Sequence, residues 1–180
     1  SGDGFFREHG GLKVLHGNLG DSVIKISAVA PEHHHVTAPA KVFNSQYDVQ
    51  TAYKAGKLNC ACVIVVRYAG PAAAGMPELH KLMPVLGNLQ KAGFQVALLT
   101  DGRLSGASGG IPSALHLSPE AARGGKIALI QDGDMIDFDA EKGEINCLSS
   151  LEGRKEERPD LEKFEQSYGR WLFRSCRESV

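Results

Sequence analysis

Short blocks of apolar residues, separated by polar and glycine-rich turns, follow one another along the 180-residue chain. Most blocks are only a few residues long and rich in β-branched side chains, a pattern typical of β-strands. The runs at 62–67 (CVIVVR) and 94–99 (FQVALL) are almost wholly apolar, which predicts strands buried on both faces. The other predicted strands lie at 12–15, 22–27, 113–117, 127–130, 135–138 and 144–148.

Stretches with apolar residues at helical spacing predict the helices. One is expected at 45–54, where a serine supplies the N-cap. A second is expected at 77–93, opened by a proline and kinked at Pro84. A short helix is expected at 118–124, and an amphipathic helix at 161–176.

These elements predict a mixed α+β fold of about eight short strands with three or four helices. Their order combines β-α-β crossovers with hairpins, which favours a mixed or barrel-like sheet over a regular doubly wound one. Residues 31–39 are expected to be irregular, and the charged residues 152–160 to form a linker. We therefore expect one domain at 1–150, followed at 151–180 by the linker and the amphipathic helix.

Composition removes several classes of function. The formal net charge is −1 and aromatic residues make up 7% of the chain, so we expect no nucleic-acid partner. No apolar stretch is long enough to cross a bilayer and no signal peptide is recognisable, which predicts a cytoplasmic protein without a membrane partner. The start at Ser1-Gly2 without a methionine suggests a fragment of a longer polypeptide.

The cysteines do not have the spacing of a zinc site. Cys60 and Cys62 are separated by one residue instead of two, and Cys147 and Cys176 stand alone. We expect reduced, unreactive thiols. The run 33–35 of three histidines is expected to be a solvated loop.

The richest candidate chemistry follows the buried strand at 94–99. The loop 100–106 (TDGRLSG) carries an acid, a base and a hydroxyl among glycines. Ser105 is the candidate nucleophile or base, and it needs activation by a neighbour or a metal. Arg103 can bind a carboxylate or pair with Asp101. The serine can equally serve only to hydrogen-bond the turn.

A second candidate group stands at 75–81 (GMPELHK). Glu78 either caps a helix, where the dipole favours a carboxylate, or binds a hard cation such as Mg²⁺. His80 and Lys81 beside it either contact an anionic substrate group or face solvent.

Six motifs in this order resemble the C-terminal domain of the dihydroxy-acid and 6-phosphogluconate dehydratase family. They are Gly17-Asn18-Leu19-Gly20, Pro39-Ala40-Lys41-Val42-Phe43, Arg67-Tyr68 with Gly70-Pro71, Gly75-Met76-Pro77-Glu78, Thr100-Asp101-Gly102-Arg103 with Ser105-Gly106, and Ser118-Pro119-Glu120-Ala121. The resemblance covers roughly residues 10 to 175. Within the family, 78–82 (ELHKL) and 105–109 (SGASG) are similar to the phosphogluconate branch.

The resemblance implies a hydro-lyase with a swivelling β/β/α barrel domain, here of the Entner-Doudoroff pathway. Such enzymes remove water from a 2,3-dihydroxy acid, and a [4Fe-4S] cluster acts as Lewis acid on the C3 hydroxyl. The residue matching Ser105 takes the C2 proton, and the one matching Glu78 binds Mg²⁺ in the dihydroxy-acid branch. Arg103, Asp101, Lys81, His80 and Gly106 are candidates for substrate binding.

The family's cluster ligands lie in an N-terminal domain that this sequence lacks. We therefore expect the chain to be inactive alone, with that domain as its partner and a homodimer as the full-length form. Three alternatives remain open at this point: a dehydratase of another sugar acid or 2,3-dihydroxy acid, a non-catalytic module that binds phosphorylated sugar acids, and a serine hydrolase in which His80 or His116 pairs with Ser105.

Overall fold

The computed structural model describes residues 11–73, 75–104 and 110–159, in which eight strands close into a barrel. The strands are β1 (Leu12–Gly17), β2 (Gly20–Lys25), β3 (His35–Phe43), β4 (Cys62–Val66), β5 (Val96–Thr100), β6 (Ser113–Ser118), β7 (Met135–Asp139) and β8 (Glu144–Cys147). Their order around the barrel is β1-β2-β6-β5-β4-β3-β7-β8. The mixed, barrel-like fold is thus confirmed.

Half of the barrel is parallel. Strand β3 pairs in parallel with β4, β4 with β5, β5 with β6, and β1 with β8 at one residue pair. The pairings β1–β2, β2–β6, β3–β7 and β7–β8 are antiparallel. Phe43, Val66 and Thr100 pair across the sheet at the ends of their strands. The carboxyl ends of the parallel strands therefore meet at one rim of the barrel, which we call the carboxyl edge.

Side chains of β4 and β5 alternate between two apolar cores. Val63, Val65 and Leu99 belong to the core inside the barrel. Ile64 and Leu98 belong to a second core, which the helices cover. Both faces of these strands are buried, as their unbroken apolar runs predict, and burying each such side chain stabilises the fold by roughly 1.5–3 kcal/mol.

Two α-helices lie within the described residues, α1 (Gln46–Lys54) and α2 (Leu82–Lys91). The Ser45 hydroxyl accepts a 3.2 Å hydrogen bond from the backbone N–H of Asp48, which confirms the predicted N-cap. The predicted start of the second helix at 77 is wrong. Pro84 falls in the first turn of α2, where its missing N–H breaks no intrahelical hydrogen bond. A proline at this position does not cause a kink.

Three further local predictions are wrong. Residues 31–39, expected to be irregular, contain the first half of β3. A proline is tolerated within this strand because β3 changes its partner at Pro39, from β7 before it to β4 after it. The missing N–H of Pro39 therefore breaks no hydrogen bond between the strands. The apolar run 127–130 is a 3₁₀ turn, not a strand; Ile127 is buried there without a sheet partner. Strand β6 continues through Ser118, and only a 3₁₀ turn follows at Ala121–Arg123.

The end of the described chain, residues 151–159, returns across the barrel, and we call it the tail strap. Arg154 forms an ion pair with Asp134, and its Nη1 donates to the carbonyl of Leu129 at 3.0 Å. Arg158 Nη2 donates to the carbonyl of Ala122 at 2.8 Å. The predicted helix at 161–176 lies outside the described residues, and a domain boundary at 150 stays a prediction.

Candidate active site at the carboxyl edge

One buried carboxylate joins the loops that follow β4, β5 and β6. Asp101, directly after β5, is only 2% exposed. Its oxygens accept the backbone N–H of Ala69 at 3.0 Å and of Tyr68 at 3.2 Å, both after β4. They also accept the N–H of Ala121, after β6, at 2.9 Å. The three loops are thereby held in one arrangement, which is the scaffold a site needs.

Burial and hydrogen bonding act on Asp101 in opposite directions. Burial raises the pKa of its carboxyl, and the nearby Glu120 adds to this effect. The three backbone N–H groups favour the charged form and oppose the rise. All of these donors lie in loops, so they stabilise the carboxylate only while the loops keep this arrangement.

Two glycines let these loops approach closely. A Cβ on Gly102 would stand 2.7 Å from the Cβ of Ala69 and 3.2 Å from Leu79 Cδ1. A Cβ on Gly70 would stand 2.2 Å from Oε2 of Glu120. Both positions belong to motifs singled out in the sequence, and the close packing gives a physical reason for glycine at each.

A cavity of about 350 Å³, lined by both apolar and polar residues, opens between the loops. Its lining includes Met76, Asp101, His116, Ser118, Glu120 and Arg123. The carboxylate of Glu120 accepts the N–H of Ala72 at 3.1 Å and pairs with Nε of Arg123 at 3.1 Å. Both carboxylates of the lining are therefore engaged by donors of the protein itself.

The backbone is strained around this cavity. Tyr68, Met76 and His116 have φ values of +60°, +57° and +54°, a region that side chains other than glycine rarely adopt. Among the described residues they are the only positive-φ positions that are not glycine, and two of them line the cavity. Strain of this kind concentrates at functional sites, where the surrounding structure enforces it.

Arg103 connects the loop after β5 with the segment before α2. Its backbone carbonyl accepts the N–H of Leu79 at 3.1 Å, and it forms an isolated parallel bridge with Glu78. Its Nε donates to the carbonyl of Met76 at 2.8 Å, and its side chain is exposed. The guanidinium thus lies beside the cavity, since Met76 is part of the lining.

His80 and Lys81 do not line the cavity. His80 is exposed. The ammonium of Lys81 lies 5.6 Å from the centre of the Tyr47 ring, a cation–π distance, and its backbone N–H donates to Gln46 Oε1 at 3.2 Å. The structure therefore places Asp101 in the cavity lining and Arg103 beside it, in contact with Met76, whereas His80 and Lys81 are not part of the lining.

The tail strap reaches the same edge through Tyr68. The Tyr68 hydroxyl donates a 2.6 Å hydrogen bond to Glu156, and Nε of Arg158 lies 3.0 Å from the same oxygen. Burial and the Glu156 carboxylate raise the pKa of Tyr68, so the phenol stays protonated and donates. Sequence analysis assigned no such role to the strap.

The described residues offer no set of ligands for a metal ion or an iron–sulfur cluster. No group of three or more His, Cys, Asp or Glu side chains in this part of the chain is arranged to bind a metal. Cys62 begins β4, at the far end from the carboxyl edge, and burial together with Cys60 raises its pKa to about 12. Cys147 lies on β8, and burial raises its pKa as well.

Two predicted site residues, Ser105 and Gly106, lie outside the described residues. The described chain leads to them from Leu104, whose side chain is buried. The sequence analysis gave no role to Glu120 or Arg123, and weighed His116 only as a partner of Ser105. The motif at 118–121 was a usable signal for Glu120, but the contact with Gly70 that explains it joins residues far apart in sequence.

The fold and the site define a closed mixed barrel with a cavity at the carboxyl ends of its parallel strands. The family model of the dihydroxy-acid/6-phosphogluconate dehydratase C-terminal domain matches residues 3–180. The chain therefore belongs to this family. It is 52% identical over 178 residues to the phosphogluconate dehydratase of Escherichia coli strain K12, covering 97% of this chain and 30% of the relative.

Two further relatives place the chain in the same family. The phosphogluconate dehydratase of Rhizobium meliloti is 53% identical over 176 residues, which are 96% of this chain and 29% of the relative. The dihydroxy-acid dehydratase of Clostridium beijerinckii is 46% identical over 150 residues, 82% of this chain and 27% of the relative. The chain thus spans about 30% of the length of its curated relatives. In the part of the chain that the structure describes, no helix combines the length and the apolar character needed to cross a membrane.

Proposed function

We propose that the chain supplies the substrate-side loops of a hydro-lyase that converts 6-phosphogluconate to 2-dehydro-3-deoxy-6-phosphogluconate. The observation that carries the proposal is the arrangement around Asp101, whose carboxylate joins three loops around one cavity. The names of the relatives at about 50% identity supply the substrate class.

In this reaction Ser105 accepts the proton from C2 of the substrate. Its loop leaves the cavity through Gly102 and Arg103, so a short stretch of chain joins the proposed base to the cavity. A serine hydroxyl is a weak base and needs a cation or another base nearby to act. Arg103 is the proposed partner of the substrate carboxylate, because a guanidinium binds a carboxylate through two parallel hydrogen bonds.

The remaining site residues have proposed roles around the substrate. Gly106 gives the backbone close access to it, while His80 and Lys81 would meet the phosphate from outside the cavity. Glu78 is a proposed Mg²⁺ ligand, and the other oxygen ligands of such an ion would come from the substrate, water or parts of the protein beyond the described residues.

We further propose that the [4Fe-4S] cluster belongs to another part of a longer, cytoplasmic and homodimeric enzyme. No group of three or more His, Cys, Asp or Glu side chains among the described residues is arranged to hold the cluster, and we therefore assign to this chain no step through it. The chain alone would bind substrate weakly and would not turn it over.

The test is an assay of 2-oxo acid formation from 6-phosphogluconate. The chain is measured alone and joined to the preceding segment found in its relatives, with gluconate as the phosphate-free control. Turnover of 6-phosphogluconate by the joined protein only, with little turnover of gluconate, supports the proposal. Turnover by the chain alone, or equal use of the two substrates, contradicts it.

A further inference from the structure

The cavity contains one histidine to which the proposed reaction has so far given no role. His116 lies near the end of β6, its side chain is exposed and it lines the cavity. Its backbone N–H donates a 3.0 Å hydrogen bond to the carbonyl of Gly102, in the loop that leads to Ser105. The backbone of His116 is therefore fixed against the loop of the proposed base.

The conformation of His116 is costly. Its φ of +54° lies in the left-handed region, inside a segment that otherwise pairs as a strand. A non-glycine residue is strained there, and such strain persists where the surrounding structure enforces it. Packing gives no reason for a histidine at this position, because the side chain is exposed.

The other titratable groups of the cavity lining are already held by hydrogen bonds or ion pairs. Asp101 accepts three backbone N–H groups, and Glu120 is held by Ala72 and Arg123. Arginine does not lose its proton in proteins. Among the described residues that line the cavity, His116 is the one titratable side chain for which the structure shows no hydrogen bond or ion pair. An imidazole is also the side chain best suited to move a proton near neutral pH.

The proposed reaction needs such a group after water has left. Loss of the C2 proton and the C3 hydroxyl gives an enol with a C2=C3 double bond. The 2-oxo acid forms only when C3 gains a proton and the C2 hydroxyl loses one. Ser105 has taken the C2 proton at this stage, so a second proton carrier would make the last step specific.

We propose that His116, as imidazolium, delivers the proton to C3 of the enol; this inference rests on the proposed function. The imidazolium N–H bond breaks, and the C2=C3 π pair forms the new C3–H bond. The C2 hydroxyl gives its proton to water as the C2=O bond forms. The neutral imidazole then takes a proton from water, so no other reactant is consumed.

The test is the position of deuterium in the product formed in D₂O by the full-length enzyme that carries this chain. A proton delivered by an imidazolium on one side of the cavity enters one face of the enol, so the wild type is expected to place deuterium at one of the two C3 positions. His116→Asn keeps a residue that tolerates positive φ but removes the proton carrier. It is expected to release enol that becomes labelled at both C3 positions, as read by proton NMR.

Controls separate this outcome from unfolding and from failure of the proposed function. His35→Asn changes an exposed histidine on β3, bound to Asp137 at 2.6 Å, and is expected to keep single-position labelling. His116→Gly removes both the ring and the strain, and is expected to scramble the label as His116→Asn does. Substrate consumption is expected to fall less than roughly tenfold in either variant, since C2–H cleavage comes first.

Single-position labelling by both His116 variants would overturn the inference. So would complete loss of substrate consumption by folded variants, because His116 would then act before the enol forms. A wild-type enzyme that makes no product from 6-phosphogluconate would instead contradict the proposed function.

Discussion

Asp101 accepts a 2.9 Å hydrogen bond from the backbone N–H of Ala121, although the two residues lie 20 positions apart in the chain. The same carboxylate binds the N–H groups of Tyr68 and Ala69. A charged side chain that is 2% exposed would be costly to bury without such donors. This carboxylate therefore joins three of the loops around the cavity.

Replacing this carboxylate should loosen the site. Asp101→Asn keeps the shape but turns one acceptor oxygen into an NH₂ group that faces backbone donors. Because buried donors are left without partners, we expect a loss of roughly 2–3 kcal/mol in the free energy of unfolding, measured with urea. Asp21→Asn, at a position where the carboxylate is exposed beside His16, is the control and should change stability little. An unchanged Asp101→Asn protein would contradict the role given to the carboxylate.

Gly102 and Gly87 form a matched pair of glycine positions. A Cβ on Gly102 would stand 2.7 Å from Ala69, whereas a Cβ on Gly87, inside α2, meets nothing within 4 Å. Gly102→Ala should therefore cost roughly 1–3 kcal/mol of stability by overpacking. Gly87→Ala should be neutral or stabilise by up to about 1 kcal/mol, because alanine favours the helix. Thermal unfolding of both variants tests the contrast, and an equal effect of the two would refute it.

The ion pair of the tail strap predicts that folding stability depends on pH. Burial alone would raise the pKa of Asp134, but the hydrogen bonds from Arg154 and from the N–H of Gln131 outweigh it and lower the pKa. A lowered pKa in the folded state gives stability that is present above the unfolded value, about 3.9, and is lost as the pH falls through the folded value. We expect Arg154→Gln to lower Tm at pH 7. At pH 3 the difference in Tm between this variant and the wild type should be smaller.

The control for the strap is Lys155→Gln, which removes a neighbouring exposed charge that makes none of the contacts of Arg154. It should leave Tm close to the wild-type value at both pH values. A loss of Tm in Arg154→Gln that is the same at pH 7 and pH 3 would show that the ion pair with Asp134 is not its cause.

Arg103 predicts an effect on substrate affinity. Arg103→Lys keeps the positive charge but loses the planar fork that binds a carboxylate through two hydrogen bonds. We expect KM for 6-phosphogluconate to rise by roughly tenfold, as for one lost charged hydrogen bond, with a smaller change in kcat. Lys91→Gln, at the exposed end of α2, should leave KM unchanged. A normal KM in Arg103→Lys would remove Arg103 from the proposed carboxylate site.

Local patterns predicted much of the fold and little of the geometry of the site. The apolar runs of β4 and β5 and the cap at Ser45 follow from residues that are neighbours in sequence. The strand that contains Pro39 could not be predicted in this way. Its partner strands β7 and β4 are far away in sequence, and the change from one to the other at Pro39 is what makes a proline acceptable there.

The same distinction applies to the cavity. The sequence predicts a functional loop at 100–106, because its residue types are local information. The three hydrogen bonds that Asp101 accepts, and the strained backbone at His116, depend on contacts between loops that follow three different strands. No periodicity or motif spacing in a single sequence contains those contacts.

The most direct test of the central claim compares Ser105→Ala with Ser108→Ala in the full-length enzyme, with 6-phosphogluconate as the substrate. If Ser105 accepts the C2 proton, its loss should lower kcat by roughly 10²–10⁴-fold, whereas Ser108→Ala, at the next serine in the sequence, should stay near the wild-type value. A Ser105→Ala enzyme with the kcat of the wild type would contradict the claim that this chain carries the base of the dehydration.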